Sequence, residues 1–452
     1  MRIWNVLHYA AKAFVLGLTV FGGVSAQAQL RSDLRLFSDS FISPSFEANQ
    51  KSNYQFVGLG LKSSPFTDDA VKMDMEGAVA FGAPLLNYLN ITEIYFQYKP
   101  SENEKLYLGR KLMTWSELDD RWNFGLWQPL FQWNPLSSQQ QGLSGLFWQA
   151  DRNIYSVTIF ASPIFIPNQG PTFEISNGTF VRGNPWFRRP PESVRIFQEV
   201  TDVDYNFERP QEAQVVLQAS YGAKLSFGNP DEATAQLSYM YKPSNELAIG
   251  YSGLLDTSRL RGVVDLKPQV FFHSLSGLDL AHRVGLFRYG ISGIYDRPQK
   301  DLEFEDKWTH PEFKDAVLVS PFVEMILNGL TLSVQALNVY GGEVREIGDL
   351  ASEDRAPLTM RYPFQQAVKV SLDTRFLLKN NRRFTSRASY TISDKNDFEY
   401  LQWAMNYRIS SVWSAFSELE LVRAGELSVQ NQNEIAQYKN LDRFLVGGAY
   451  VF

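Results

Sequence analysis

Alternating apolar and polar side chains along nearly the whole chain, an apolar closing strand, and short polar turns interleaved with long polar loops together predict an all-β fold. The expected architecture is a single transmembrane antiparallel β-barrel of about 20 strands, with 18 as the alternative, occupying residues 29–452. The composition suits a wall with one greasy and one wet face. Hydrophobic residues make up 44% and aromatics 14%, yet after the leader no apolar stretch approaches the ~18 residues of a spanning helix.

At the amino terminus, Arg2 and Lys12 precede or open a mostly apolar run from Ala13 to Val24, followed by Ala26-Gln27-Ala28. This is the layout of a secretory leader, residues 1–28, with cleavage after Ala28. A membrane anchor would need a longer run. Without the leader, 41 basic residues face 49 acidic ones, a net charge of −8. Such acidity argues against nucleic acid as a partner, because phosphates need a basic surface. With no cysteine, neither disulfides nor thiolate metal sites exist. No two of the four histidines have metal-ligand spacing, so no metal or cofactor is expected.

The clearest strand runs from Ala367 to Phe376. Val368, Val370, Leu372 and Phe376 fall on one face, and Lys369, Ser371, Asp373 and Arg375 on the other. Lipid outside and water inside explain such a pair of faces. The following segments repeat the pattern and place Arg387, Arg408, Glu418 and Glu420 on the wet face. These eight charged and polar residues are the expected pore wall. A soluble sandwich also alternates, but its outer face rarely carries Trp, Phe and Leu in series.

Turn chemistry at Pro100–Glu104, Asp151–Asn153, Pro243–Glu246, Asn328-Gly329, Lys379–Arg383 and Ser410-Ser411 marks the short connectors. Longer polar segments lie near 113–143, 163–201, 297–311, 341–361 and 425–439. Placing the turns at Pro100 and Pro243 on one side requires an added strand, for which Val203, Tyr205 and Phe207 are the natural candidates. The opening segment with Leu34, Leu36 and Ser38 supplies another, which raises about 18 clear strands to about 20.

The closing strand places Phe444, Val446, Tyr450 and Phe452 on one face, broken only by Gly448. This ending resembles the terminal assembly signal of bacterial outer-membrane β-barrels, which implies recognition by the barrel-insertion machinery. Leu106 to Lys111 ends a strand in Gly109-Arg110 and runs into a long loop with Trp115, Glu117, Asp119, Asp120 and Arg121. That arrangement resembles the porin pattern in which a loop folds into the lumen as a constriction; an extracellular cap of tryptophans is the alternative. A second loop carries Arg182, Arg188 and Arg189 among aromatics. These arginines are placed either opposite the acidic first loop, setting a field across the pore, or on acidic residues of neighbouring loops.

The resemblance implies a porin-like protein of the Gram-negative outer membrane that passes small hydrophilic solutes passively, with membrane lipid as its surroundings; homo-oligomerisation stays open. No enzyme is expected. His273 and Ser274 are adjacent, and neighbours on a strand point to opposite faces, which disfavours a lipase-type pair. The alternative function is an occluded barrel that acts as a surface scaffold or partner of another envelope protein.

Overall fold

The computed structural model describes residues 29–452 except 44–51, 65–69, 197–198, 301, 303, 305–306, 349–358, 380–381, 394–396 and 426–436. The leader expected at 1–28, much of the loops expected at 341–361 and 425–439, and the middle of the turn expected at 379–383 therefore lie outside the described residues.

Among these residues, eighteen strands form one sheet: β1 (Gln29–Phe41), β2 (Asn53–Ser64), β3 (Ala70–Ala80), β4 (Tyr88–Ser101), β5 (Glu104–Lys111), β6 (Leu143–Asp151), β7 (Tyr155–Ser162), β8 (Ser220–Asn229), β9 (Ala233–Pro243), β10 (Phe272–Val284), β11 (Phe287–Pro298), β12 (Ala316–Leu327), β13 (Leu330–Gly341), β14 (Gln366–Leu377), β15 (Arg383–Ser393), β16 (Phe398–Arg408), β17 (Trp413–Ala424) and β18 (Arg443–Val451). Each pairs antiparallel with its sequence neighbour, and β18 pairs with β1 from Phe41↔Arg443 to Asp33↔Val451. The Phe452 amide also donates to the Ser32 carbonyl at 3.0 Å. Closure leaves no free edge, the condition for a sheet in lipid.

The period-2 pattern sorts the two faces. On β14, Val368, Val370 and Leu372 are exposed on the outside, whereas Lys369, Ser371 and Asp373 are half-buried on the inside. On β18, Phe444, Val446 and Tyr450 are exposed while Arg443, Leu445 and Ala449 are buried. Tyr450 packs edge-on against Trp413, with ring centroids 5.0 Å apart, near the short-turn end of the outer wall. A two-residue turn, Asn328-Gly329, joins β12 to β13. Its Gly329 has φ 77°, and a Cβ there would meet the Arg375 carbonyl oxygen at 2.5 Å, so a side chain is excluded sterically.

The barrel has 18 strands rather than 20: of the two strands added to the clear ones, the opening segment with Leu34, Leu36 and Ser38 is β1 of the barrel, whereas the one with Val203, Tyr205 and Phe207 belongs to a sheet built from the long loops. Residues Glu199–Phe207 pair in parallel with Arg261–Gln269, which pair antiparallel with Ala248–Asp256. Pro243–Glu246 is thus the start of a long loop, not a short turn. Val203 and Tyr205 are buried against Phe180 in that loop sheet. Alternation reports a half-buried strand and does not say whether lipid or a protein core covers its apolar face.

The inner wall is not uniformly polar. Phe147, Phe160, Met240, Leu275, Ile294, Leu318 and Leu337 project inward from β6, β7 and β9–β13 and form one core with Trp115, Leu118, Trp122, Leu126 and Trp127 of the loop after β5. Farther along that loop, Phe131 and Trp133 join a second core with Phe37, Phe41, Tyr54 and Phe56 of β1 and β2. Burying these tryptophans is the driving force that draws the loop into the lumen.

Candidate solute pathway

The loop between β5 and β6, residues 112–142, carries a short helix, α1 (Glu117–Trp122), that is held at both ends. Before it, Gln236 Nε2 donates to the Trp115 carbonyl at 2.8 Å, and the Glu117 amide and Ser116 hydroxyl donate to Asp279 Oδ1 at 3.2 and 3.4 Å. After it, the chain turns at Asn123 in the left-handed conformation, φ 55°. Asp119 fixes the return, accepting from the Leu126 and Trp127 amides at 3.1 and 3.0 Å. Burial pushes the Asp119 carboxyl up to about 7, against the pull of those hydrogen bonds. Burial raises Asp120 as well; its Oδ1 accepts from Gln140 at 3.2 Å.

Charges bind α1 to the wall. Arg121 donates to Glu117 at 3.0 Å and to Glu324 of β12 at 2.9 Å, and Arg288 of β11 bridges the same two carboxylates, meeting Glu324 at 3.0 Å. The Arg121 guanidinium lies 3.7 Å from the Phe322 ring centroid. Trp122 Nε1 donates to Ser320 at 2.9 Å. Across the lumen, Trp133 Nε1 reaches the Leu86 carbonyl at 3.0 Å, and the Tyr400 hydroxyl reaches the Leu136 carbonyl at 2.9 Å. A loop tied to so many strands is a fixed partition. Of the two placements expected for it, the structure has the one inside the barrel.

What the partition leaves open is eccentric. A cavity of about 1080 Å³ runs from the long loops, at Pro171, Glu246 and Tyr438, past Asp120 and Arg121, to Lys369, Ser371, Asp373 and Arg387 on β14 and β15. Lys369 Nζ donates to the Arg121 carbonyl at 2.8 Å, and Arg387 pairs with Asp373 at 2.6 Å. Four of the expected wall residues therefore meet at one surface.

The others are placed elsewhere. Arg375 is exposed near the short-turn end, and Arg408 donates to the Ser410 and Ser411 carbonyls at 3.1 Å, closing the β16–β17 turn. Glu418 and Glu420 were expected on the pore wall, but both pair with Arg443, at 3.1 and 3.4 Å. Glu420 is buried beneath Asn134. Arg443 also holds Asp39 of β1 at 2.7 Å, across the seam. Alternation placed these residues inside correctly; it carried no information about the loop that covers Glu420 or about Arg443, which pairs with both.

The second loop behaves likewise. Arg182 and Arg189 donate to Glu192 of their own loop at 3.2 and 2.6 Å, and Arg188 stacks 5.1 Å from the Tyr438 ring. The hydrogen bond from Arg182 lowers the Glu192 pKa. These arginines satisfy local acids and an aromatic instead of facing the first loop.

A closed antiparallel barrel with an apolar exterior, a polar cavity and short turns opposite long loops is a membrane-spanning β-barrel of the bacterial outer membrane. No protein-family model matches the chain, and no curated protein matches it. Solved structures of similar fold include Pseudomonas aeruginosa OccD3 (OpdP), 11% identical over 94% of this chain and 93% of that one, TM-score 0.46. Acinetobacter baumannii OccAB2 is 11% identical over 94% and 98%, TM-score 0.49. A loop-deletion mutant of OmpT, an outer membrane protein of Vibrio cholerae, is 9% identical over 95% and 100%, TM-score 0.38. At such identities the likeness concerns the barrel alone, and the assignment rests on closure and facing in this chain.

Proposed function

We propose that the protein is a porin-like channel for passive diffusion of small hydrophilic solutes, with a path that follows the β12–β16 wall. The observation that carries this reading is the polar cavity that reaches from the extracellular loops to Asp373 and Arg387. The loop of residues 112–142 narrows it and contributes Arg121, which with Lys369 of β14 supplies fixed charges, as selectivity rings do elsewhere. No catalytic step is part of the proposal. His273 bonds to Asp296, and Ser274 next to it projects from the other face of β10. The closing strand is proposed to serve the insertion machinery, so deletion of Phe452 is expected to lower outer-membrane yield.

Reconstitution in a planar bilayer tests the channel. Stepwise conductance is expected, and a bulky thiol reagent on Ser371→Cys should reduce it. The alternative is supported by the many bonds that fix the loop inside the lumen: an occluded barrel serving as a surface scaffold or partner of another envelope protein. A correctly inserted barrel that passes no current would favour that alternative.

A further inference from the structure

The cavity has an extracellular end with its own chemistry. There it is bordered by Glu246, Phe271, His273, Phe313, Arg361 and Tyr362. Three of these converge on Asp296, which is completely buried near the end of β11. One carboxylate oxygen accepts from His273 Nδ1 at 3.0 Å; the other accepts from the Tyr362 hydroxyl at 2.7 Å and from the Arg361 guanidinium. The loop backbone is shaped for this convergence. The Arg361 amide donates to the Gly342 carbonyl at 2.9 Å, and Gly342 has φ 77°. A Cβ there would stand 2.8 Å from the Tyr362 ring.

The cluster leaves bonding capacity unused. An ionised Asp296 can only accept, so Nδ1 of His273 carries the proton and the neutral ring presents Nε2 as an acceptor. That Nε2 atom, and Nη1 of Arg361, are buried without a hydrogen-bond partner. Buried polar atoms are nearly always paired, so two orphans anchored to one aspartate beside a cavity call for a ligand. Glu246 borders the same space and is solvent-exposed within it. Among the described residues no ion pair engages its carboxylate, although its charge acts on Arg361. Asp296 already pairs with Arg361, whereas Glu246 acts on Arg361 without a salt bridge of its own among the described residues. Phe271 and Phe313, stacked with centroids 4.3 Å apart, supply an apolar floor.

We infer that this end of the cavity is a binding site for a small zwitterion of the α-ammonium carboxylate class, such as a free amino acid. The carboxylate would meet Arg361 Nη1, the ammonium would lie between His273 Nε2 and Glu246, and the carbon skeleton would rest on Phe271 and Phe313. A simple anion leaves Glu246 uncompensated, and a simple cation leaves Arg361 Nη1 unpaired. The inference deepens the channel reading and rests on it, since the site stands on the proposed route.

The test titrates the full-length mature protein in detergent micelles with L-alanine, acetate and methylammonium separately, by ligand-observed NMR or calorimetry. L-alanine is expected to bind saturably and the two single-charge probes far more weakly. Glu246→Gln should weaken L-alanine binding about tenfold, the loss expected for one charge-assisted hydrogen bond, and leave gel heat-modifiability unchanged. A second variant, Arg361→Lys, keeps a cation beside Asp296 but lacks the second guanidinium arm, and should weaken L-alanine as well. Acetate or methylammonium binding as tightly as L-alanine, or undiminished L-alanine binding by Glu246→Gln, would overturn the site. Binding without any conductance would overturn the channel reading and leave the site standing; conductance without binding would do the reverse.

Discussion

Two neighbouring stretches of the inner wall carry the same kind of sequence and have opposite fates. On β14 and β15, Lys369, Asp373 and Arg387 alternate with lipid-facing residues and border the cavity. The Arg387–Asp373 pair there stays accessible, with side chains 68% and 35% exposed. On β17, β18 and β1, Glu420, Arg443 and Asp39 alternate in the same way, yet they are 1%, 3% and 1% exposed. The difference lies in the loop of residues 112–142. It crosses the second stretch with Trp133 and Asn134, whose Nδ2 donates to Glu420 at 2.8 Å, but touches the first mainly through the Arg121 carbonyl. Facing is set by the strand, and wetting is set by what a distant segment covers.

The sharpest way to break that comparison is to remove one charge from each wall. Arg443→Ala leaves Asp39 and Glu420 buried without their cation, and loss of about 3–5 kcal/mol is expected. Arg387→Ala at the exposed pair should change stability by about 0.5 kcal/mol or less. Heat-modifiability on gels, scored against temperature, reads both. Equal stability of the two variants would erase the distinction between a buried seam and a wet wall.

Leu372→Arg tests the facing on which both walls depend. If Leu372 lies near the bilayer midplane, its replacement should cost about 2–4 kcal/mol. A cysteine at Ser371 should react with a small water-soluble thiol reagent, whereas one at Leu372 should not. Protection of Ser371→Cys in an inserted barrel would mean that the wall is sealed like the seam.

Much of this was legible in the sequence, and the failures share one cause. Barrel, exterior and closing strand follow from period 2 because Val368, Leu372, Phe444 and Tyr450 meet lipid directly. The loop strand at 199–207 and the burial of Glu420 do not follow, because Val203, Tyr205 and Glu420 owe their surroundings to segments far away in sequence. The Asp296 cluster was hidden for a similar reason: His273 and Asp296 come from the β10–β11 hairpin but Arg361 comes from the distant loop between β13 and β14, and His273 alone resembles an ordinary strand histidine. The one available signal was a strand carboxylate, Asp296, between Tyr295 and Arg297.

A smaller effect is expected where the loop itself titrates. Folded Asp119 holds its proton up to about 7, whereas an unfolded aspartate releases it near ~3.9. Between these values the docked loop binds more protons than the free one, so docking weakens as pH rises through that window and levels off above it. Tryptophan emission should therefore report tighter packing at the acid end, and Asp119→Asn should flatten the dependence. A pH slope that survives in the variant would place the titrating group elsewhere.

The gentlest test concerns selectivity, and it asks whether the open wall alone speaks to solutes. Lys369, Arg375 and Arg387 place more positive than negative charge along β14 and β15, with Asp373 as the acid among them. Lys369→Glu should shift the reversal potential in a KCl gradient toward cations and raise the cation-to-anion permeability ratio about twofold at 0.1 M salt, where the Debye length is about 10 Å. Near 1 M the length falls to about 3 Å and the shift should fade. Glu418→Gln, by contrast, alters a carboxylate already held by Arg443 at 3.1 Å, so its reversal potential should match that of the parent. If Glu418→Gln changed selectivity as strongly as Lys369→Glu, ions would be passing along the seam, and the two walls would differ in packing but not in function.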